Sequence, residues 1–375
     1  MLTGLLGIRV LVWVGQTVPS PPPPGVLESL SSVRVINDSA TGDGFQLSFK
    51  LTKQGGADYA VMQSGALDVF NRIVIAVVMG VTPEVLIDGI ITNQELSPSE
   101  RPGQTTLTVS GKDVSLMMDL IETDKAYPNQ SDSVIVEQVI GQPQYAMYGL
   151  QPTAVTTVDQ PMETNRTPRQ AETDLALVKR LALRNGYIFY VQPVTFGVNL
   201  AYFGPDVRAG LLQPALKIDM GHASNLRSLS FSQDSLAPVQ STGSYIMPES
   251  MTAIPIPAGA SLRLPPLAAR PVQPRRTRLL RQSGNSDTAQ AIIDAVAQAS
   301  NAPDAVTGSG VLDSIRYGTV LRARSLVGVA GAGYTYDGNY YVRRVTHEIE
   351  PRGGYRQSFS ISREGTGAQA PVVLS

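Results

Sequence analysis

The sequence contains no cysteine and only two histidines, His222 and His347, among its 375 residues. Without cysteine the chain has no disulfides, no thiolate metal ligands and no cysteine nucleophile. Two histidines alone also argue against a zinc site built from several imidazoles. We therefore expect no metal, no cofactor and no catalytic residue in this chain.

Charge is scarce as well. Charged residues make up 16% of the sequence, hydrophobic residues make up 42%, and the net charge is -1. A net charge near zero provides no long-range field that would attract nucleic acid or an anionic membrane. A surface with few charges can be buried against other subunits, because charged residues are depleted in the cores of interfaces. The length predicts two or three domains.

Long apolar runs are also missing. Beyond the first residues the longest run, IVIAVVMGV (73–81), is far shorter than the roughly 20 residues of a membrane helix. The opening residues lack the basic segment and the cleavage site of a signal peptide. IRVLVWV predicts a strand and PSPPPP an extended connector, so residues 1–25 form an N-terminal strand and Pro-rich connector. We expect a soluble protein made in the bacterial cytoplasm, with no membrane insertion.

Alternating apolar and polar residues predict a first β-barrel domain over residues 26–111. SVRVIN and FQLSFKL flank the turn residues DSATGDG, and RIVIAVVMGV, EVLIDGIITNQEL and TTLTVSG continue in the same style. Residues 201–247 return to short strands, NLAYFG, ALKIDMG and LRSLSFSQ. We assign them to the same domain.

Residues 112–200 form an inserted α+β domain. DVSLMMDLIETD and SDSVIVEQVIGQ each predict a helix. A further helix is predicted to begin at Thr167, with Pro168 in its first turn and Gln170 completing a capping box. Its apolar stripe consists of Leu175, Val178, Leu181 and Ala182. Asn185 and Gly186 are typical of a helix end, and YIFYVQP predicts the strand that follows.

Residues 248–286 form a Pro/Arg-rich linker without a clear pattern. Residues 287–375 form a second β-barrel domain with a leading helix, SDTAQAIIDAVAQAS, before the strands GTVLRARSLVGVAG, NYYVRRVTHEIEP and YRQSFSISR. The predicted fold is thus α+β and predominantly β.

A faint internal repeat links the two β domains. From Asp88 and from Asp337, 249 residues apart, the sequence runs through Asp-Gly, a strand, a proline-bearing turn, glycine and a second strand. Asp-Gly is favoured in tight turns generally, so part of the likeness is common to β proteins. The repeat still suggests two similar β units in each chain.

His347 is followed by Glu348 and Glu350 and is the first candidate for chemistry. In a strand His347 shares a face with Val345 and Ile349, whereas both acids lie on the opposite face. No partner triad is visible, so we interpret His347 as a packed structural residue. EPRGG (350–354) is expected to be the turn of this hairpin.

Three other patterns leave alternatives open. GVAGAGY (328–334) has neither the spacing nor the following helix of a dinucleotide-binding loop. Asp119, Glu122 and Asp124 could serve a wall-degrading hydrolase through paired carboxylates, although a solvated helix face is the simpler interpretation. The arginines of the linker could serve a nucleic-acid-binding assembly factor, but they lack interleaved aromatic residues. They are Arg263, Arg270, Arg275, Arg276, Arg278 and Arg281.

The long C-terminal run GVLDSIRYGTVLRARSLVGVAGAGYTYDGNYYVRRVTHEIEPRGGYRQSFSISREG resembles the closing segment of the phage late control protein D family. RQAETDLALVKRLALRNGYIFYV resembles the family's helix-then-strand element. LIDGIITNQE and TTLTVSGKDVSLMMDL resemble its first barrel and the start of its insert. SVRVINDSATGDGFQLSFKL resembles the extracellular injection-system branch. The likeness spans most of residues 28–366.

The resemblance implies a tail-hub fold, with two β-barrel domains and an inserted α+β domain. It implies a homotrimeric baseplate hub of a phage tail or contractile injection particle, without enzymatic activity. Such a hub is a symmetry adaptor between a sixfold inner tube, or a tube-initiator protein, and a threefold spike. Other baseplate components would be partners, and nucleic acid would not. Because the sequence ends at SREGTGAQAPVVLS, we expect the spike to be a separate polypeptide.

Overall fold

A computed structural model of the chain describes residues 2–3, 7–53, 58–101, 103–163, 166–247, 252–256, 261–279, 288–350 and 354–369. Most of its regular structure is antiparallel sheet, as the alternating sequence pattern predicts. The predicted class, α+β and predominantly β, is therefore confirmed.

The strands of the first half are β1 (Leu2–Thr3), β2 (Arg9–Gly15), β3 (Leu30–Asp38), β4 (Gly44–Leu51), β5 (Arg72–Val78), β6 (Pro83–Ser97), β7 (Thr105–Asp113), β8 (Glu122–Ala126), β9 (Leu150–Ala154), β10 (Arg169–Thr173), β11 (Tyr187–Thr195) and β12 (Val198–Pro205). Those of the second half are β13 (Leu212–Lys217), β14 (Leu226–Gln233), β15 (Val239–Met247), β16 (Thr252–Ile256), β17 (Ala268–Pro271), β18 (Arg276–Leu279), β19 (Val306–Asp313), β20 (Leu326–Ala330), β21 (Gly338–Glu350), β22 (Gly354–Arg363) and β23 (Gly365–Ala368).

The helices are α1 (Pro24–Ser29), α2 (Ala60–Gln63), α3 (Asp132–Ile140), α4 (Pro143–Ala146), α5 (Asp174–Asn185), α6 (Thr288–Asn301) and α7 (Ser314–Tyr317). Short 3-10 turns lie at Val114–Met118 and Gly221–Ala223. None of the described helices is long and apolar enough to cross a membrane.

Two units of six strands, together with the short β1, make up the 13-stranded large sheet. In the N-terminal unit the strand order is β2-β5-β6-β7-β4-β3, and its core is lined by residues such as Val35, Leu47, Phe49 and Ile75. In the C-terminal unit the order is β13-β20-β21-β22-β19-β14, around Val329, Tyr340 and other apolar residues. If the six strands of each unit are numbered in the order in which they occur in the chain, the two units have the same spatial order of strands.

The correspondence extends to irregularities of the strands. In the pairing of β3 with β4 the register shifts between Leu30 and Ser32, and in the pairing of β14 with β19 it shifts between Leu226 and Ser228. A β-bulge is a local feature that must be built into the backbone, so its recurrence at the same place indicates a true structural repeat. One difference remains, because β2 pairs antiparallel with β5 whereas β13 pairs parallel with β20.

The two hairpins that suggested the repeat also correspond, but in a different alignment. β6 and β7 shift register between Ile91 and Asn93, and β21 and β22 shift between Val342 and Arg344. Asn93 therefore corresponds to Arg344, which lies 251 residues later in the chain, whereas the two Asp-Gly pairs lie 249 residues apart. Asp88 lies inside β6 and is not a turn residue.

A direct strand pairing, here called the junction, joins the two units. The first part of β21 pairs with β20, and its later part pairs antiparallel with β3, from Arg344 opposite Asp38 to Ile349 opposite Val33. The sheet is thereby continuous from β1 to β14. Strand pairing among the described residues does not close either unit into a ring.

The insert packs on the N-terminal unit. Its core combines residues of α3, α5, β11 and β12 with Ile90 of β6. The predicted stripe of α5 is buried, and Gly186 ends the helix in the left-handed conformation with φ 68°. The predicted start at Thr167 is wrong, because Gln170 lies in β10 and the helix is capped by Thr173, whose hydroxyl accepts from Ala176 N.

Other predicted elements need correction. The helix expected for DVSLMMDLIETD is only a 3-10 turn followed by β8, because β8 pairs with β10. Strand pairing also separates residues 201–247 from the first barrel. β12 belongs to the sheet of the insert, while β13 and β14 pair within the C-terminal unit. The sequence pattern shows where strands lie but not with which strands they pair.

The Pro/Arg-rich segment 248–286 contains more order than its sequence indicates. β15 pairs with β16 and with β18, and β17 pairs with β23 near the C-terminus. The predicted leading helix before the second unit is confirmed as α6. The turn expected at EPRGG falls largely on residues 351–353, which lie outside the described residues.

Candidate functional site

His347 is buried in β21 and takes part in packing. Its Nδ1 lies 2.7 Å from the hydroxyl of Tyr355, and its ring is almost inaccessible to solvent. Burial, with a smaller effect from Arg322, lowers the pKa of His347 to about 3. A neutral, enclosed imidazole cannot act as a general base on an external substrate. Glu348 lies on the opposite face of the strand, as predicted, and pairs with Arg34.

The three carboxylates considered for hydrolysis do not form a catalytic pair. Asp119 accepts a hydrogen bond from Thr173, while Glu122 and Asp124 lie exposed on β8. A groove of about 490 Å³ lies beside them, but none of the three lines it. Among the described residues that line the groove, Asp174 is the only one with a carboxylate. It accepts hydrogen bonds from Gln142, Gln170 and Tyr145 and is already satisfied.

The glycine-rich motif is also structural, and so are two of the linker arginines, Arg263 and Arg270. GVAGAGY runs from the end of β20 into a turn in which Gly331 and Gly333 have φ of 92° and 82°, and β21 follows in place of a helix. Arg263 is held by Asp206 and Asp304, and Arg270 lies over the ring of Tyr334. Arg275, Arg276 and Arg278 are exposed, and Arg281 lies outside the described residues. Within the described residues no cluster of His, Asp or Glu could hold a metal ion.

The best-defined polar site lies at the junction between the two units. Arg324 precedes β20 with φ 61°, and its guanidinium donates to the Asp43 carboxylate and to the carbonyl of Asp38, the latter at 2.6 Å. It also lies 4.6 Å from the ring centroid of Tyr190 in the insert. One side chain thus connects the C-terminal unit, the N-terminal unit and the insert.

Electrostatics make this site dependent on its arginine. Asp43 and Asp113 are both buried and adjacent, since Asp43 N donates to Asp113 at 3.1 Å. Burial and then the charge of Asp43 raise the pKa of Asp113. Burial alone would lower the pKa of Arg324, but Asp43 raises it above its usual value. The guanidinium therefore supplies the positive charge that two enclosed carboxyls require.

A second ion pair fixes the insert to the N-terminal unit. Arg72 forms a bidentate pair with Asp88, with distances of 2.8 and 2.6 Å. Asn199 of β12 donates to the same carboxylate at 2.8 Å, and Arg72 also donates to the carbonyl of Tyr148 at 2.9 Å. The Asp-Gly dipeptide noticed in the sequence is therefore a buried anchor.

A third network fastens the linker to the C-terminal unit. Arg208 is 2.7 Å from Asp304, and Arg263 of the linker reaches the same carboxylate. Ser362 of β22 also donates to it. Burial would raise the pKa of Asp304, but the two arginines and the serine lower it below its usual range.

Sequence reasoning missed these networks. Arg324, Asp43 and Asp113 are far apart in the chain, and nothing in their local sequence marks them as partners. The one available signal was that Asp43 lies in a predicted turn and Asp113 at the start of a predicted helix, each close to a predicted strand. The arrangement fixes the relative positions of three parts of one chain.

No protein-family model and no curated protein sequence matches the chain. Solved structures do match. The 43 kDa tail protein of prophage MuSo2 from Shewanella oneidensis is similar over 95% of this chain and 98% of its own, with a TM-score of 0.64 and 14% identity. A tail protein from Neisseria meningitidis MC58 is similar over 95% and 97%, with a TM-score of 0.62 and 12% identity.

A third similar structure is the E. coli c3393 protein, a component of the type VI secretion system described as structurally similar to the T4 bacteriophage tail proteins gp27 and gp5. It covers 92% of this chain and 76% of its own, with a TM-score of 0.56 and 12% identity. The chain therefore has the fold of phage tail proteins. The predicted likeness to tail proteins is confirmed at the level of the fold.

Replacing Arg324 with methionine should lower the free energy of unfolding by about 3–5 kcal/mol, because it leaves buried carboxyls without their cation. The matched control is Arg34→Met. Arg34 pairs with Glu348 across the same junction, but the two side chains are 51% and 39% exposed, so the loss should be about 1 kcal/mol or less. Urea denaturation of both variants measures the difference, and equal losses would contradict the central role of Arg324.

His347→Asn should make stability less sensitive to acid. The folded pKa of His347 is about 3, below the ordinary value of 6.5, so the unfolded chain binds the proton first. The native protein should lose about 1.4 kcal/mol per pH unit from this group as pH falls from about 6.5 towards 3. Urea midpoints between pH 7.5 and 4 should show a shallower decline for the variant. Tyr355→Phe keeps the buried imidazole and should retain the parent's slope; a parent-like slope in His347→Asn would refute this assignment.

Proposed function

We propose that the protein is the structural hub of a contractile phage-tail-like particle and works as a homotrimer. The observation that carries the proposal is the repeat of one strand order in two joined units. Three chains would supply six similar units around one axis, which matches a sixfold inner tube. The chain itself would repeat only three times, which matches a threefold spike. The likeness to tail proteins supports this role.

In this proposal the hub transmits position and force and catalyses nothing. The ion pairs that fix the units and the insert suit a part that must stay rigid under load. The proposed partners are the inner tube or tube-initiator protein, a separate spike protein and other baseplate components. The proposed location is the baseplate of an assembled tail or injection particle.

The competing functions receive less support. A hydrolase would need carboxylates converging on a groove, whereas Glu122 and Asp124 are exposed on β8 and outside the neighbouring groove. A nucleic-acid-binding arm would need its arginines free, whereas Arg263 is only partly exposed and is held in ion pairs with Asp206 and Asp304. The exposed arginines of β18 are too few to offset a chain that is slightly acidic overall.

Native mass spectrometry of the purified protein tests the assembly. We expect a particle of three 40.0 kDa chains, alone or with a spike protein added. The trimer should persist in high salt, because a permanent interface is held mainly by apolar burial and backbone pairing rather than by exposed charges. A stable monomer at assembly concentrations, with or without spike protein, would contradict the hub.

Incubation with purified peptidoglycan tests the enzymatic alternative. We expect no release of soluble fragments by the native protein, because no acid and base converge on a groove in the described residues. Glu122→Ala is the informative variant. Fragment release that disappears in Glu122→Ala would show a hydrolase and overturn a purely structural role.

A further inference from the structure

We propose that the free edge of β14 in one copy pairs antiparallel with the later half of β6 in a second copy, with Ser232 opposite Glu95. The inference rests on the proposed trimer and specifies its interface. Its basis is that the chain already makes this contact once with itself. At the junction, β3 pairs with the later half of β21, and β14 and β6 are the counterparts of those two strands.

The bulges fix which residues correspond. Counting from the shared register shift, Ser32 of β3 corresponds to Ser228 of β14, so LSSVRVIND (30–38) aligns with LRSLSFSQD (226–234). Counting from the other shift, Asn93 of β6 corresponds to Arg344 of β21. In the junction Thr346 lies opposite Ile36. Their counterparts are Glu95 and Ser232.

Both proposed partners have an open edge. β14 pairs with β19 on one side, and no described strand pairs with its other side. β6 pairs with β5 only as far as Ile90, so residues 92–97 are unpaired on that side. β3 is protected by the junction, with Val33 and Val35 fully buried, whereas every residue of β14 after Leu226 is at least partly exposed. An unpaired edge is a template for another strand.

The side chains that would meet are compatible. Asp234 would take the place of Asp38 opposite Asn93, so an amide would replace the guanidinium of Arg344 as donor to a carboxylate. Phe231 would lie opposite Leu96, which is 37% exposed in the single chain. Gln94 would meet Gln233 and Ser97 would meet Ser230. The pairing would end there, because Pro98 takes the place of Ile349 and has no N–H to donate. No like charges would be opposed.

A flanking contact repeats as well. Arg324 reaches from one unit to the other at the junction, and its amide donates to Val342 O at 2.8 Å. Phe70 has the same position in the N-terminal unit. Its φ is 67°, and its amide donates to Ile91 O at 2.8 Å. Phe70 is 56% exposed, and in the proposed pair it would point towards the segment after β14 of the second copy, where Leu236 is 47% exposed.

Repetition of the contact links each copy to the next. Each chain offers one β6 edge and one β14 edge, so the interface is head-to-tail and generates either a ring or an open filament. The junction fixes how the two units of one chain are placed relative to each other. If the same placement relates neighbouring units of different chains, a trimer contains six equivalent contacts between units.

Cysteine cross-linking tests the register cleanly, because the natural sequence has no cysteine. In the junction, Ser39 N donates to Arg343 O, so Ile36 and Thr346 form a non-hydrogen-bonded pair, the closer type in an antiparallel sheet. The variant carrying Glu95→Cys and Ser232→Cys, oxidised with copper phenanthroline, should give covalent dimers and trimers on a non-reducing gel.

Two further double variants serve as controls. Ile36→Cys with Thr346→Cys should form a disulfide within one chain and show that the geometry is suitable. Leu96→Cys with Ser232→Cys shifts the register by one residue, which puts the thiols on opposite faces, and should remain uncross-linked.

Native mass spectrometry of the same samples separates the two proposals. A trimer in which Glu95→Cys and Ser232→Cys do not cross-link, while the junction control does, would overturn this interface and leave the hub intact. A monomer would overturn the hub and this interface together. A cross-linked ladder extending beyond the trimer would refute the closed ring.

Discussion

The contact between Arg324 and Asp43 is the interaction on which the arrangement of the chain depends. It lies where the N-terminal unit, the C-terminal unit and the insert meet, and it is buried. A buried ion pair adds little net stability, since desolvation of the charges offsets much of their attraction. It is, however, intolerant of displacement, because a shifted unit would leave Asp43 and Asp113 enclosed without a cation. The pair therefore specifies one relative position of the units, while strand pairing and apolar burial stabilise it.

The junction and the proposed contact between copies use one backbone geometry with different side chains. The junction is never exposed in the folded chain, so β3 can present Val33 and Val35. In the proposed assembly, the edges of β14 and β6 must remain soluble until copies meet. Serine at every second position of β14, Glu95 in β6 and Pro98 directly after it are typical protections of an exposed edge. The difference in composition between the repeats thus follows from when each edge is buried.

The sequence predicts the strands well because alternation is a local property, and it predicts the buried stripe and the Gly186 end of α5 for the same reason. It fails where distant segments decide. Gln170 belongs to a strand because β8 pairs with it, and within residues 201–247 the strands β13 and β14 pair with strands about 100 residues later. The repeat was detected through Asp88 and Asp337, although the bulges show an alignment two residues away. The ion pair between Arg324 and Asp43 could not be predicted from the sequence, since the two residues are 281 positions apart.

The repeat also suggests how one ring could serve partners of different symmetry. Five of the six strands in each unit, all except β2 and β13, recur with the same pairing direction, and two bulges recur with them. The side chains differ more, since only three of the nine residues in LSSVRVIND and LRSLSFSQD are identical. In a trimer, the backbone edges and sheet faces would repeat six times, whereas the side chains would repeat three times. A tube subunit that binds through main-chain hydrogen bonds would find six nearly equal sites. A spike that binds through particular side chains would find three.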